Sequence, residues 1–248
     1  MDWEAFNIQA NSGRYLFKFL SEENLFRFLK TGNIWFSRSD LFGDKMECIG
    51  LGDFSEDHFD IPNIKKRQKK HVISCFHIST NESLAFWDTY AKTEDQRRKY
   101  ALSFETEKLV NLIQGSNSFG SLRTNNAIYG NVKYHNLISA DARSLLKTKM
   151  KYPAFRKDSV FSYENEFRFV IQLSEQTEYL GFNLNIGQPT NVLYRILINP
   201  LLDPIDFEKA IKKVADTQFR DKITLSKLTK WLKPEYADWQ KLQKQKKY

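Results

Sequence analysis

Short apolar runs typical of β-strands alternate with segments of helical periodicity along most of this chain, and that alternation restricts it to a mixed α and β fold. A helix is predicted between Ser21, a common N-cap, and Gly32, a common helix stop. An irregular surface segment is predicted over 52–64, and a loop, or a loop around short strands, is predicted over 115–131. Further helices are predicted over 82–92, 107–113, 139–150 and 206–214. Strands are predicted over 14–20, 34–37, 72–76, 100–104, 132–134, 161–173, 179–184, 193–198 and 223–225. The fold class predicted from this order is α+β.

The length of 248 residues fits one main domain, predicted over 1–205, with residues 206–248 as a C-terminal helical extension packed on that domain. No apolar run approaches the roughly 20 residues that cross a bilayer, and the acidic N-terminus lacks a signal region. Cys48 and Cys75 show neither a metal-binding nor a disulfide spacing, as is usual in a reducing compartment. These features predict a cytoplasmic protein without a membrane partner and without a bound metal.

A net charge of +8 and a sequence pI of about 9.3 favour polyanionic partners such as RNA or DNA. The compact basic run is the candidate nucleic-acid-binding segment, and it consists of Lys65, Lys66, Arg67, Lys69 and Lys70. The alternative is a solvated helix face or loop without a ligand. The sequence contains no phosphate-binding glycine loop and no nucleophile elbow, which argues against P-loop enzymes, Rossmann dehydrogenases and serine hydrolases.

Two carboxylates stand at strand spacing within the predicted strand 161–173. Glu164 and Glu166 would point to the same face, with Arg168 as the next residue on that face and apolar residues on the other. Two like charges on one face raise at least one pKa unless a cation intervenes. A half-exposed ladder of Glu and Arg is the structural alternative. A metal-dependent nuclease is a further alternative, and its ligands would be Asp44, Glu47, Glu164 and Glu166.

Several separated motifs together resemble a bacterial family known as domain of unknown function 2971. They are Phe17-Lys18-Phe19, Trp35-Phe36-Ser37, Trp87-Asp88-Thr89-Tyr90-Ala91 and Tyr163-Glu164-Asn165-Glu166-Phe167-Arg168. The turn Gly43-Asp44-Lys45-Met46-Glu47 departs from the family pattern, in which Asn stands in place of the Gly and Pro in place of the Lys. The resemblance covers roughly residues 14–200.

The same layout more distantly resembles ADP-ribosyltransferases that modify nucleic acid. That resemblance implies a split β-sheet flanked by helices, with NAD as a substrate. It assigns the catalytic carboxylate to Glu166, with Glu164 two residues before it. The NAD-binding residues that it implies are Lys18 or Arg14, together with Trp35, Phe36 or Ser37, and Tyr90 is a further candidate. By analogy, a toxin role in a toxin–antitoxin or phage-defence system, with an antitoxin protein as partner, is a hypothesis. A non-enzymatic nucleic-acid-binding module remains the main alternative.

Overall fold

A computed structural model describes residues 2–8, 14–49, 60–91, 99–116, 123–137 and 152–236. The described strands are, in chain order, β1 (Trp3–Phe6), β2 (Tyr15–Leu20), β3 (Asn33–Arg38), β4 (His71–Ser79), β5 (Tyr100–Glu105), β6 (Thr124–Asn131), β7 (Lys133–His135), β8 (Arg156–Asp158), β9 (Glu166–Leu173), β10 (Gly181–Asn185) and β11 (Leu193–Ile198). The described helices are α1 (Glu22–Thr31), α2 (Ile61–Gln68), α3 (Leu84–Ala91), α4 (Thr106–Gly115), α5 (Pro189–Val192), α6 (Pro204–Ala215) and α7 (Lys227–Leu232). The mixed α and β class is therefore confirmed. The helix predicted over 139–150 lies outside the described residues.

The chain divides into two compact units. The first unit comprises Met1–Ser12, Asn33–Ile78 and Val110–Ile186, and the second comprises Gly13–Gly32, Ser79–Leu109 and Gly187–Tyr248. Residues 206–248 thus group with the second unit, and the domain boundary placed at residue 205 stays a prediction. Among the described residues, none of the helices combines the length and the apolar character that crossing a bilayer requires.

The first unit is built on a mixed sheet with the strand order β1-β6-β9-β4-β3-β10. The β1–β6 pair is parallel, whereas the other pairs in this order are antiparallel. Strand β9 has β6 on one side and β4 on the other, and all but one of its residues are buried. Such a strand gives its side chains fixed positions on both faces of the sheet, which is a requirement for a preorganised site.

The structure decides one open sequence prediction about the first unit and corrects another. Within 115–131, predicted as a loop or as a loop around short strands, Thr124–Asn131 form β6, because hydrogen bonding to β9 overrides the poor strand propensity of Asn and Gly. The long strand predicted over 161–173 begins only at Glu166. Residues Ser159–Glu164 form a 3₁₀ helix instead, and Asn165 ends it in the left-handed conformation, with φ of 40°.

The second unit contains the antiparallel strands β2, β5 and β11, with β5 in the middle. Its aromatic core contains Phe17, Phe19, Phe86 and Trp87. The predicted limits of α1 are confirmed: the Ser21 side chain accepts a hydrogen bond from the backbone N–H of Asn24, and the helix ends at Gly32. These local signals were readable because a helix cap depends on residues close in sequence.

Replacing Gly32 with Ala is expected to lower the free energy of unfolding by about 2 kcal/mol or more. Gly32 has φ of 66°, and a Cβ built there would lie 1.9 Å from the carbonyl oxygen of Gly187. Urea denaturation would measure the loss. Gly43→Ala is the matched control, since a Cβ at Gly43 meets nothing within 4 Å. Equal stability of the two variants would contradict the expectation.

Candidate functional site

Glu164 and Glu166 are close together in the structure, although they do not share a strand. Glu164 is the last residue of the 3₁₀ helix, and Glu166 is the first residue of β9. The ammonium of Lys157, from β8, binds both: it donates to Oε2 of Glu164 and, over 3.0 Å, to Oε1 of Glu166. Both carboxyl groups are buried, with exposed fractions of 4% and 7%. The half-exposed surface ladder considered from the sequence is therefore wrong.

Arg168 extends this group of charges into the interior. Its Nε donates to Oε2 of Glu166 over 2.5 Å, and its two terminal nitrogens donate to the carboxylate of Glu47 over 2.6 and 2.9 Å. Arg168 also donates to the carbonyl oxygen of Ala154 over 2.6 Å. We call Glu47, Lys157, Glu164, Glu166 and Arg168 the carboxylate cluster. It contains three carboxyl groups and two cations, so it is neutral when one carboxyl group is protonated.

The carboxyl groups of the cluster differ in pKa. Burial raises the pKa of Glu47, and the charge of Arg168 only partly offsets that rise. Burial and the neighbouring carboxylate of Glu166 raise the pKa of Glu164 to about 7. Burial alone would raise the pKa of Glu166 too, but the charge of Arg168, aided by Lys157, outweighs it and lowers that pKa well below its usual range. The cluster therefore holds an ionised carboxylate beside a carboxyl group that titrates near neutral pH.

Backbone contacts fix both carboxyl groups in place. The N–H of Glu166 donates to the hydroxyl oxygen of Tyr134 over 2.8 Å. Nδ1 of His77 donates to the carbonyl oxygen of Glu164 over 2.7 Å, and Asn165 donates through its side chain to the carbonyl oxygen of Ile78. These contacts tie the segment Glu164–Glu166 to β4 and to β7, so the backbone that carries the two carboxyl groups is held without needing a ligand.

The aromatic residues proposed to bind NAD are divided between the core and the surface. Phe36 is fully buried and stacks on Phe182 with ring centroids 5.2 Å apart. Trp35 is 39% exposed, so it is the aromatic residue of this pair that a ligand can reach. Ser37 is half-buried, and its hydroxyl donates to the carbonyl oxygen of Arg38 over 3.4 Å.

The remaining candidates for NAD binding belong to the second unit. Lys18 lies on β2, opposite Leu102 of β5, and is half-buried. Arg14 directly precedes β2, and its carbonyl oxygen accepts a hydrogen bond from Thr106 over 3.0 Å. Tyr90 lies on α3, and its side chain is outside the described part of the structure. Their proposed contacts with NAD stay predictions.

The basic run forms α2 and the turn that follows it, and its residues face different ways. Lys66, Arg67 and Lys70 line a cleft of about 540 Å³ in the first unit, whereas Lys65 and Lys69 lie outside that lining. Lys65 is exposed, and Lys69 forms an ion pair of 2.9 Å with Glu178. We call this feature the basic cleft. Lys65 and Lys69 therefore belong to the solvated surface, whereas Lys66, Arg67 and Lys70 give the basic cleft its positive charge.

Residues of β6 and β9 also line the basic cleft. They include Asn126 and Gln172, whose amide side chains hydrogen-bond each other over 3.2 Å. The apolar residues Ile128, Val170 and Tyr152 complete this part of the lining. Glu166 and Arg168 lie on the same face of β9 as Val170 and Gln172, since residues two apart in a strand share a face.

Sequence reasoning missed Lys157, and it considered Glu47 as a possible metal ligand. Glu47 is 121 positions from its partner Arg168, so no local pattern could pair them. Lys157 stands outside any motif of the sequence. The split of the basic run carried no signal either, since Lys65 and Lys69 have the same spacing of four as Lys66 and Lys70, and Lys70 lies beyond the end of α2.

The nuclease alternative finds no support in the cluster. Among the described residues, no three or more His, Cys, Asp or Glu side chains form a group that could hold a metal ion. The oxygens of Glu47, Glu164 and Glu166 are bound by Lys157 and Arg168. Asp44 is engaged elsewhere and accepts a hydrogen bond from the backbone N–H of Met46 over 2.9 Å.

The elevated pKa of Glu164 predicts how stability depends on pH. A pKa raised from about 4.5 in the unfolded chain to about 7 in the folded one means that the folded state binds the proton more tightly. That contribution is complete below pH 4.5 and is lost as the pH rises to 7. The advantage of the wild-type over Glu164→Gln in urea denaturation should therefore shrink between pH 4.5 and 7. An advantage that grows over this range would contradict the assignment.

Comparison with known proteins identifies no relative of this chain. No protein-family model matches its sequence, no curated protein matches it, and no solved structure matches its fold. The resemblances to domain of unknown function 2971 and to ADP-ribosyltransferases therefore stay predictions from the sequence, and inferences about function depend on the geometry of the carboxylate cluster and the basic cleft.

Proposed function

We propose that this protein is an NAD-consuming ADP-ribosyltransferase that modifies RNA or DNA. The proposal includes an ADP-ribosyltransferase-like split β-sheet and membership in the family of domain of unknown function 2971, both taken from the sequence resemblance. The observation that carries it is the pairing of Glu166, ionised and fixed at the start of β9, with Glu164, whose pKa is about 7. A toxin role with an antitoxin partner, in the cytoplasm, follows by analogy only.

The chemistry needs both kinds of carboxyl group. The bond between the ribose C1′ and the nicotinamide nitrogen breaks, its electron pair leaves with nicotinamide, and positive charge develops on the ribose. A rigid carboxylate next to that charge stabilises it, which is the role proposed for Glu166. The acceptor atom then bonds to C1′ and loses a proton, and a base of pKa near 7 suits that step. Glu164 is proposed as this base.

Access to Glu166 is the main requirement of this proposal. The carboxylate is 93% buried and is bound by the ammonium of Lys157 and the guanidinium of Arg168. Of these two partners, Lys157 retains an exposed fraction of 7%, whereas Arg168 has none. The ribose would therefore have to displace Lys157 from Glu166 and leave the contact with Arg168 in place.

A non-enzymatic nucleic-acid-binding function is the second candidate. It is favoured by the basic cleft, which is lined by Lys66, Arg67 and Lys70. Cationic side chains that contact phosphates give affinity that falls with salt, whatever the sequence of the strand. This candidate needs no contribution from the carboxylate cluster.

The experiment that separates the two candidates uses ³²P-labelled NAD. The full-length protein is incubated with labelled NAD and with single-stranded RNA, single-stranded DNA or duplex DNA, and label on the nucleic acid and released nicotinamide are measured together. ADP-ribosyl transfer predicts both products in equal amounts. If neither product forms in a preparation that binds nucleic acid, the transferase function is rejected and the binding function is retained.

A further inference from the structure

We propose that the basic cleft binds one nucleotide of a single-stranded nucleic acid, with its phosphate against Lys66, Arg67 and Lys70 and its base against the amide side chains of β6 and β9. The proposal rests on the proposed function only in taking a nucleic-acid strand as the source of the nucleotide. The cleft itself is lined by the first unit alone.

The cationic residues of the lining suit a phosphate. Lys66 and Arg67 lie in the last turn of α2, and Lys70 lies in the turn that follows it. All three residues line the cleft, so three positive charges face a ligand there. None of the described residues that line the cleft carries a carboxylate. Arg67 and Lys70 are half-buried, and Lys70 is held by a hydrogen bond of 3.4 Å to the carbonyl oxygen of Ser174. Part of this cationic group is therefore already ordered.

His71 adds a hydrogen-bond acceptor to these cationic donors. Its Nδ1 lies 2.9 Å from the carbonyl oxygen of Arg67 and must donate to it, because a carbonyl oxygen only accepts. Burial lowers the pKa of His71 to about 4, so the ring is neutral at neutral pH and its Nε2 is an acceptor. A ribose hydroxyl or an amino group of a base is a suitable donor for it.

The amide and apolar residues of the lining fit a base. Asn126, Gln172 and Gln176 offer both donors and acceptors, which is what the hydrogen-bonding edge of a base requires. Of the apolar residues that line the cleft, Val170 is fully buried and Tyr152 retains an exposed fraction of 7%, so Tyr152 offers a small surface that a base can contact. Sulfate or a simple acidic peptide would leave this half of the cleft unused.

The size and composition of the basic cleft favour a single strand over a duplex. Its volume of about 540 Å³ falls within the roughly 300–1,000 Å³ typical of small-ligand sites, which suits one nucleotide. A duplex keeps its bases paired and stacked, so only its phosphates would meet the protein and the amide side chains would have no partner. A single strand can turn one base outward into the cleft.

Matched lysine substitutions on one segment test the proposal. Lys66→Gln/Lys70→Gln removes two charges from the cleft, and Lys65→Gln/Lys69→Gln removes two charges from outside it. Binding of a fluorescent ten-nucleotide single strand is measured by anisotropy over a salt series. The cleft double variant should bind about 10-fold more weakly, and its salt slope should fall by about 1.4, as expected for two lost contacts to a single strand. The control should stay within about 2-fold of the wild-type.

Three outcomes decide the proposal. Equal losses of affinity in the two double variants would overturn it. The single variant Lys66→Gln, at an exposed position, checks that a loss of affinity does not reflect misfolding. A strand with abasic sites that binds as well as the intact strand would overturn the placement of the base. Full competition by free AMP, at a concentration equal to that of the strand nucleotides, would identify a mononucleotide as the ligand and overturn the proposal that a strand binds.

A failed ADP-ribosyl transfer assay with normal strand binding would reject the proposed function and leave the cleft proposal standing.

Discussion

Replacing Arg168 with Met is expected to lower the free energy of unfolding by about 3–5 kcal/mol, the loss typical when one partner is removed from a buried ion pair. Arg168 has no exposed surface, and it binds both Glu47 and Glu166. Met has a similar length and packs well, so the loss would come from Glu47, left without the guanidinium, and from Glu166, left with Lys157 alone. Urea denaturation at pH 7 would measure it.

Two further variants separate the charge effect from the loss of packing. Arg123→Met is the surface control, because its side chain is 85% exposed and lies 4.0 Å from Glu175, and we expect a change within about 0.5 kcal/mol. The double variant Glu47→Gln/Arg168→Met removes one stranded charge along with the guanidinium. It should be more stable than Arg168→Met alone. A double variant that is less stable would show that the packing of Arg168, and not its charge, holds this region together.

The sequence allowed prediction where the relevant partners are close along the chain. Ser21 and Gly32 delimit α1 through contacts within a few residues. The pairing of Glu166 with Arg168 likewise follows from alternation within one strand, and the structure confirms that they contact each other. Alternation within β3 also places Phe36 in the core and leaves Trp35 exposed.

The same reasoning failed where one residue changed the direction of the backbone. Strand spacing placed Glu164 and Glu166 on one face, but the left-handed Asn165 stands between a 3₁₀ helix and β9. The two carboxyl groups still converge, because Lys157 binds both of them. The expectation that one pKa of this pair would be raised is met by Glu164, although the geometry behind it was wrong. The composition of the strand did not reveal the turn, since contacts with residues distant in sequence stabilise it, among them those of Asn165 with Ile78 and of Glu164 with His77.

The Glu166→Gln variant is expected to lower the rate of nicotinamide release from NAD by about 10²–10³-fold, the usual cost of removing one group that stabilises a transition-state charge. Gln keeps the shape of Glu, but its single oxygen can replace only one of the two oxygens that accept from Lys157 and Arg168. It cannot supply the negative charge that the developing ribose cation needs. The rate would be measured in single turnovers with labelled NAD and a nucleic-acid acceptor that the wild-type protein modifies.

Glu47→Gln is the matched control for this experiment. It also removes one carboxylate charge beside Arg168, so it should cost a similar amount of stability. Glu47 is 99% buried, and it is not assigned to the reaction, so the rate should remain within a few-fold of the wild-type. Equal losses of rate in the two variants would mean that the carboxylate cluster only stabilises the fold.

The pH profile of the reaction tests the second carboxyl group in the same assay. If Glu164 accepts the proton of the acceptor, the rate should rise with pH and level off above an apparent pKa of about 7, the value that burial and Glu166 give this group. Glu164→Gln should flatten that rise and lower the plateau, since Gln cannot take up a proton. A pH profile that keeps its inflection in Glu164→Gln would assign the base to another residue. The proposed role of Glu166 would be unaffected, because it depends on the negative charge at the start of β9 and not on the identity of the base.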